Sequence, residues 1–293
     1  MPNTNAAPQL SVQPTRSILT AEAATMRSRP TAQTMASRWH QAATGSRRSR
    51  APSPPARIMA LGASLVRGEQ STDLTGFRRT MRDELVALGV PVNMVGSQRF
   101  GDMLDNDLEA YGGNRVSQIH EHATHIVPQL QPNMFIIQVG TNNVLQDLDV
   151  DKAGEHIEDF INYLLDTSPL STVPKIMDVN KQYRDLVSKF ENKAVLLAEM
   201  HPSEGYPDRP EIGDIGPDGS HPTNYGYELM GHIFAESIKE ADGKGYLRWP
   251  DVNGLEYDGE AGRADATVST TELPPMTTSL PSSSATSTIP AKR

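Results

Sequence analysis

Short apolar runs and amphipathic stripes alternate through the middle of this chain. Four apolar runs predict strands, and they cover residues 58–61, 92–96, 134–139 and 194–200. Elsewhere apolar residues recur every three or four positions, which predicts helices over residues 75–89, 116–130, 153–165, 178–190 and 224–241. Repeated strand–helix units indicate an α/β domain, with a mostly parallel sheet covered by helices on both faces.

The two ends of the chain lack this pattern. Residues 1–56 are rich in Arg, Ser, Ala and Pro, and residues 262–293 are rich in Ser, Thr and Pro. Such composition is typical of disordered segments. We therefore expect one domain over residues 57–243, a loop extension over 244–261, and a disordered tail at each end.

Charge is distributed unevenly along the chain. Residues 1–56 hold seven arginines and one acid, Glu22. Residues 57–293 are therefore more negative than the net charge of −9 for the whole chain. An acidic body repels phosphate backbones, which argues against nucleic acid and favours a neutral or cationic small-molecule substrate. The chain has no cysteine, which excludes disulfides and cysteine-ligated metals.

Segments that target or anchor a protein are not evident in this sequence. No apolar run is long enough to cross a membrane, and the N-terminus lacks the apolar core of a secretory signal. The Arg-rich, acid-poor start has the composition of a mitochondrial transit peptide, although a disordered extension or an incorrectly predicted gene start is the simpler interpretation. We expect an intracellular monomer, cytoplasmic or mitochondrial.

Polar residues follow three of the predicted strands. Ser64 comes after the first, the segment "GTNN" (residues 140–143) after the third, and "DGSHP" (residues 218–222) after the last. The carboxyl ends of parallel strands meet at one edge of the sheet, where such folds place their sites. A serine nucleophile needs a base such as His221, and the base needs an orienting group such as Asp218. Taken singly, each residue is more simply explained as a turn or loop residue.

The order of these blocks resembles the SGNH (GDSL-like) hydrolases. The resemblance is carried by Gly-x-Ser near the start, a glycine after a helix-length interval, Gly-Thr-Asn after a strand and Asp-x-x-His near the end. It covers about residues 57–240 and is closest to the branch that contains the acetyl xylan esterases of carbohydrate esterase family 3. The resemblance implies a flavodoxin-like three-layer α/β/α sandwich with strand order 2-1-3-4-5.

The same resemblance implies a role for each matching residue. Ser64 is the nucleophile, His221 the base and Asp218 the residue that orients it. The backbone N–H groups of Ser64 and Gly113 and the side chain of Asn142 are the oxyanion donors. The implied reaction is ester hydrolysis through an acyl-serine intermediate, with no metal or organic cofactor.

The chain departs from the family pattern at single residues and in one longer segment. Ala63 and Asn143 stand where the family usually has acids, and Gly112 precedes Gly113 where a serine is usual. In addition, a segment around the fourth strand is missing, and Pro174 interrupts the only strand candidate there. We expect the fourth strand to be stunted or absent, with a cost in stability.

Two further polar segments could contribute to a site. The segment "GDMLDNDLEAYGG" predicts a loop at the rim of the site, where Asn106 and Glu109 could contact substrate together with Asn143. The histidines of "HEHATH" (residues 120–125) do not share one helix face, so we expect an exposed helix surface and not a zinc site.

The sequence favours a serine carboxylic-ester hydrolase, with a carbohydrate ester as one candidate substrate. One alternative keeps the same three residues but takes a lysophospholipid or an acyl thioester. The other is a catalytically impaired binding protein, which the two missing acids and the shortened fourth strand suggest.

Overall fold

The computed structural model of the protein describes residues 52–171, 173–176, 180–190, 193–200 and 208–263. Strands in this part of the chain form one sheet: β1 (Ala56–Gly62), β2 (Val92–Met94), β3 (Gln98–Arg99), β4 (Asp107–Ala110), β5 (Met134–Gln138), β6 (Val173–Ile176) and β7 (Val195–Ala198). The order β2–β1–β5–β6–β7 is parallel throughout. This is the predicted 2-1-3-4-5 arrangement.

Two strands share one edge of β1. β2 pairs with residues 56–58, whereas β4 pairs with Leu61 and Gly62. β3 lies antiparallel to β4 and completes a hairpin. The predicted loop over residues 101–113 therefore contains a strand, because β2 ends at Met94 and the backbone groups in the second half of β1 need another partner.

Helices cover both faces of this sheet. They are α1 (Ser64–Arg67), α2 (Phe77–Ala87), α3 (Val116–Leu130), α4 (Thr141–Leu145), α5 (Ala153–Thr167), α6 (Asn180–Ser188) and α7 (Asn224–Gly243). The five longest match the five amphipathic stripes. The short helices α1 and α4 were not predicted, since a single turn leaves no periodic pattern.

Alternate residues of the strands belong to two separate cores. Ile58 and Ala60 of β1 pack in the cluster that includes α2 and α7, where the rings of Phe77 and Phe234 lie 4.3 Å apart. Met59 and Leu61 of β1, together with Phe135 and Ile137 of β5, pack with α3, α5 and α6 on the opposite face. The period-two alternation of a strand thus produces the three layers.

The fourth strand in the parallel order, β6, is present but short. It is four residues long and contains Pro174, and its ladder with β5 joins Ile137 to Lys175. Its pairing with β7 runs over all four residues. Of the two outcomes predicted for this strand, the stunted one is found.

The segment that follows α7 packs along the edge of the sheet formed by β2. The Gly259 N–H donates to the carbonyl of Val92 in β2 over 2.9 Å. Arg82 of α2 contacts Asp105, Asp258 and Glu260 at 2.9–3.0 Å, which holds the segment against the domain. Residues 250–263, which we call the C-terminal strap, therefore cover part of the free edge of β2.

Several predictions concern parts of the chain that lie wholly or partly outside the described residues. Both predicted tails fall there, apart from residues 52–56 and 262–263. β1 begins at Ala56, one residue before the predicted start of the domain. Within the described ranges, no helix combines the length and apolar character needed to span a membrane.

Candidate active site

Ser64 is the first residue of α1, two residues after the end of β1 at Gly62. β1 runs beside β5 so closely that a Cβ on Gly62 would lie 2.1 Å from the carbonyl oxygen of Gln138. A glycine is therefore needed two residues before the serine. The Ser64 N–H points out of the first turn and has no partner within the helix, as the first N–H groups of any helix do.

His221 and Asp218 form a compact pair in the turn before α7. His221 Nδ1 lies 2.6 Å from Asp218 Oδ2. The other carboxylate oxygen of Asp218 accepts from the N–H groups of Ser220 and His221, each over 3.0 Å. Gly219 has a φ of 73°, a left-handed conformation that favours glycine, so the turn can close around the carboxylate.

These hydrogen bonds stabilise the charged form of Asp218. The backbone N–H groups of His221 and Ser220, followed by the imidazole, lower the pKa of Asp218 to about 2. The carboxylate is therefore ionised at neutral pH and can stabilise a positive imidazole ring.

The second ring nitrogen of His221, Nε2, lies near the side chain of Glu69. Nε2 is buried and has no hydrogen-bond partner among the described residues, so it is not bonded to the Ser64 hydroxyl. Glu69 Oε2 lies 3.9 Å from it. Serine–histidine contacts are often long in unliganded enzymes and shorten when substrate binds.

Gly113 lies in the loop after β4 and Asn142 in the short helix α4, and the two segments are joined by hydrogen bonds. The Asn142 side chain donates to the carbonyl of Asn114 over 2.9 Å, and the Gln146 side chain donates to the carbonyl of Gly113 over 2.8 Å. Asn143 accepts from the N–H of Val116 over 3.2 Å. The segment after β5 therefore fixes the segment that follows β4.

Gly113 is exposed and has a φ of 78°, with open space where a Cβ would be. Asn142 uses one amide hydrogen for Asn114, which leaves the second for another acceptor. The oxyanion-donor roles of Gly113 and Asn142 stay predictions, on segments that follow β4 and β5.

The three residues predicted to contact substrate are buried. Asn106 donates to the Gly101 carbonyl and accepts from Arg99, and Glu109 accepts from Ser97 N–H and from the Tyr111 hydroxyl. Asn143 also donates to the Leu148 carbonyl. Each is at most 1% exposed. The prediction of substrate contact is corrected, because these polar groups bind the protein's own backbone and side chains.

The histidines of α3 have structural partners. The ring of His120 stacks on Phe160, while that of His122 stacks on Tyr111 with Nε2 3.1 Å from Asn114 Nδ2. Burial lowers the pKa of His122, which favours its neutral form. No group of His, Asp or Glu side chains in the described ranges is arranged to hold a metal ion.

Two residues near the site were not predicted. Arg78 is fully buried and donates to four carbonyls, those of Val66, Arg67, Leu74 and Phe100, so it holds the segment that follows Ser64. Glu69 lies between His221 and Gly112. The only sequence signal for either was its nearness to Ser64.

The candidate site residues are carried by a three-layer α/β/α fold with a mostly parallel sheet. Residues 58–234 match the GDSL-like lipase/acylhydrolase family. This is more than half of the chain, so the protein belongs to that family and is an ester-bond hydrolase.

Solved structures share the fold. A Clostridium thermocellum family 3 carbohydrate esterase is 20% identical with a TM-score of 0.58, over 64% of this chain and 98% of that one. A family 3 carbohydrate esterase from Talaromyces cellulolyticus is 17% identical with a TM-score of 0.55, over 64% and 99%. A mutant acetyl esterase with acetate ion is 17% identical with a TM-score of 0.56, over 65% and 99%. A search of curated proteins found no match.

Proposed function

We propose that the protein hydrolyses carboxylic esters through an acyl-serine intermediate, with Ser64 as the nucleophile. The observation that carries the proposal is the His221–Asp218 pair. Its Nδ1 side is bound to an ionised carboxylate, whereas Nε2 has no hydrogen-bond partner among the described residues. This is the arrangement that a general base requires.

In the first step, Ser64 Oγ forms a bond to the ester carbonyl carbon and its proton passes to His221 Nε2. The carbonyl oxygen becomes an oxyanion, which the N–H groups of Ser64 and Gly113 and the free amide hydrogen of Asn142 stabilise. Collapse breaks the bond to the alcohol oxygen, which takes the proton from Nε2. Water then attacks the acyl-serine by the same route and releases the acid.

The finer proposal is that the acyl group is short and the alcohol is a carbohydrate. The fold likeness to carbohydrate esterases of family 3 supports this choice. One observation favours longer acyl chains instead: Val144, Leu145 and Leu148 are about half exposed directly after Asn142. An apolar rim at that place would suit an acyl chain.

Hydrolysis of p-nitrophenyl esters from acetate to decanoate tests these proposals. We expect Ser64→Ala to lower kcat at least about 1,000-fold. Ser188→Ala, which alters an exposed serine of α6, is the matched control. A rate that peaks at acetate supports the short acyl group, whereas a peak at longer chains supports the alternative. Equal rates for Ser64→Ala and the native protein would contradict the acyl-serine route, and a folded but inactive native protein would favour the binding role.

A further inference from the structure

Glu69 is an acid inside the candidate active site with no role in the chemistry described above. Its Oε2 lies 3.9 Å from His221 Nε2, and its side chain is about one-third exposed. The site lacks the two acids that the family usually has, because Ala63 and Asn143 occupy those positions. Glu69 is therefore the carboxylate, besides Asp218, that the described residues place beside the reacting groups.

The absence of a side chain at Gly112 makes room for this carboxylate. A Cβ at Gly112 would lie 2.7 Å from Glu69 Oε1, which is closer than real Cβ contacts allow. With the family's usual serine at residue 112, the Glu69 side chain would have to move. The two positions are thus sterically coupled.

The backbone around Glu69 is tied to the segment that carries His221. The Tyr227 hydroxyl of α7 donates to the Glu69 carbonyl over 2.8 Å. Thr72 and Asn224 exchange two hydrogen bonds, one of 2.9 Å from the Thr72 N–H and one of 2.7 Å from the Asn224 amide. Both segments are therefore held together, which keeps the Glu69 carboxylate close to the imidazole ring.

Arg67 is the cation nearest to the Glu69 carboxylate among the described residues, and its Nε is not hydrogen-bonded to that carboxylate. Arg67 Nε lies 3.6 Å from Glu69 Oε1, beyond hydrogen-bond distance, and its guanidinium carbon lies 4.2 Å from the centre of the Phe100 ring. The carboxylate therefore keeps the capacity to accept a hydrogen bond from a ligand.

The chemistry of the proposed reaction determines which part of a substrate meets Glu69. The departing alcohol oxygen has to come within hydrogen-bond distance of His221 Nε2 to take its proton. Glu69 Oε2, 3.9 Å from that nitrogen, then lies beside the alcohol portion of the ester. A carboxylate there accepts from a hydroxyl on that portion and repels a negative charge.

We propose that Glu69 is a specificity-determining residue that selects esters whose alcohol portion carries a free hydroxyl next to the ester, and rejects anionic ones. The inference rests on the proposed function, and it assigns Glu69 a contact with substrate and no part in proton transfer. Gly112 is its positioning partner, since it leaves the space that the carboxylate occupies.

Three acetate esters of similar size test the inference. They are 2-hydroxyethyl acetate, propyl acetate, which replaces the hydroxyl by a methyl, and 3-acetoxypropanoate, which is anionic. The measured quantity is the ratio of kcat/KM for the hydroxyl ester to that for each of the others, from acetate release at constant pH. A ratio cancels any effect that a substitution has on all esters alike.

We expect Glu69→Gln to lower the hydroxyl-to-propyl ratio about tenfold, because a hydrogen bond to a charged acceptor is stronger than one to a neutral acceptor. The same variant raises kcat/KM for the anionic ester relative to the others. Gly112→Ser displaces the carboxylate without changing the charge of the protein, and we expect it to lower the hydroxyl-to-propyl ratio too. Glu236→Gln, on the surface of α7, is the control and leaves both ratios unchanged.

The outcomes separate this inference from the proposed function. Ser64-dependent turnover with unchanged ratios in folded Glu69→Gln and Gly112→Ser proteins overturns the inference alone. An equal fall in kcat/KM for all three esters also overturns the inference. Such a result means that Glu69 acts on the imidazole ring of His221 and makes no contact with the substrate. Absence of Ser64-dependent turnover in the native protein overturns the proposed function and the inference with it.

Discussion

Asp218 uses both carboxylate oxygens, and each has a separate task. Oδ1 closes the turn by accepting two backbone N–H groups, while Oδ2 binds His221 Nδ1. An asparagine can keep the first task, because its amide oxygen also accepts. It cannot keep the second, because its NH₂ group would face the ring N–H.

We therefore expect Asp218→Asn to lower kcat on p-nitrophenyl acetate by about 100- to 10,000-fold while the protein stays folded. The imidazole then lacks the partner that fixes its tautomer. Steady-state kinetics together with a melting curve measure the two effects separately. Asp149→Asn, in an exposed turn where the residue has a φ of 53°, is the matched control. An unchanged kcat for Asp218→Asn would exclude the orienting role.

The residues of the candidate site differ in how visible they are in the sequence. Ser64, Asn142, Asp218 and His221 follow predicted strands and could be selected by position and chemistry. Glu69 could not, because its proximity to His221 depends on how the turn after α1 packs against α7. The predicted role of Asn106 failed for a related reason: a polar residue type does not show whether tertiary packing buries it.

At the scale of elements, the packing of the C-terminal strap depends on a close approach between the backbone of Gly259 and the side chain of Asp105. A Cβ on Gly259 would lie 2.0 Å from Asp105 Oδ1, and Asp105 is completely buried. Neither atom can move freely, because Asp105 also binds Arg82 and the N–H of Met94. The strap and the end of β2 are therefore packed against each other through backbone at Gly259.

We expect Gly259→Ala to lower the free energy of unfolding by about 2–4 kcal/mol, because the added methyl forces the strap away from the buried ion pair. Urea denaturation measures the change. Gly243→Ala, at the end of α7, is the control, since a Cβ there meets nothing within 4 Å. Equal stability of the two variants would show that the strap does not support the domain.

The elements themselves were largely predictable where the apolar pattern is long. Helices such as α3 and α5 span fifteen residues each and display their stripe over several turns. β4 was not predicted, because Asp107 and Glu109 give it the composition of a loop. Its strand conformation follows from the second half of β1, which β2 leaves without a partner, and that is a tertiary feature.

At the scale of the whole molecule, burial of acids makes stability depend on pH. Desolvation raises the pKa of Asp105 from 3.8 to about 6, against the opposing effects of the Met94 N–H and Arg82. The folded state therefore binds a proton more tightly than the unfolded state does. This contribution to stability is complete below about pH 4 and is lost as the pH rises through about 6.

We expect the free energy of unfolding to contain a component that falls between about pH 4 and 6, and Asp105→Asn to remove that component. Urea denaturation of both proteins from about pH 3.5 to 7.5 checks this. Asp218 changes in the opposite sense, since its lowered pKa contributes stability above about pH 4 that is lost as the pH falls toward about 2. Parallel pH profiles for the native protein and Asp105→Asn would contradict the assignment.

The division of one β1 edge between β2 and β4 has a consequence for local unfolding. Residues 56–58 are held by the edge strand β2, which the C-terminal strap covers, whereas Leu61 and Gly62 are held by the short β3–β4 hairpin. The hairpin also places Leu108 and Ala110 in the core that includes α2 and α7, so its detachment would expose these side chains together with the last peptide groups before Ser64. Opening of the sheet at the end of β1 that leads to Ser64 is therefore coupled to that apolar core.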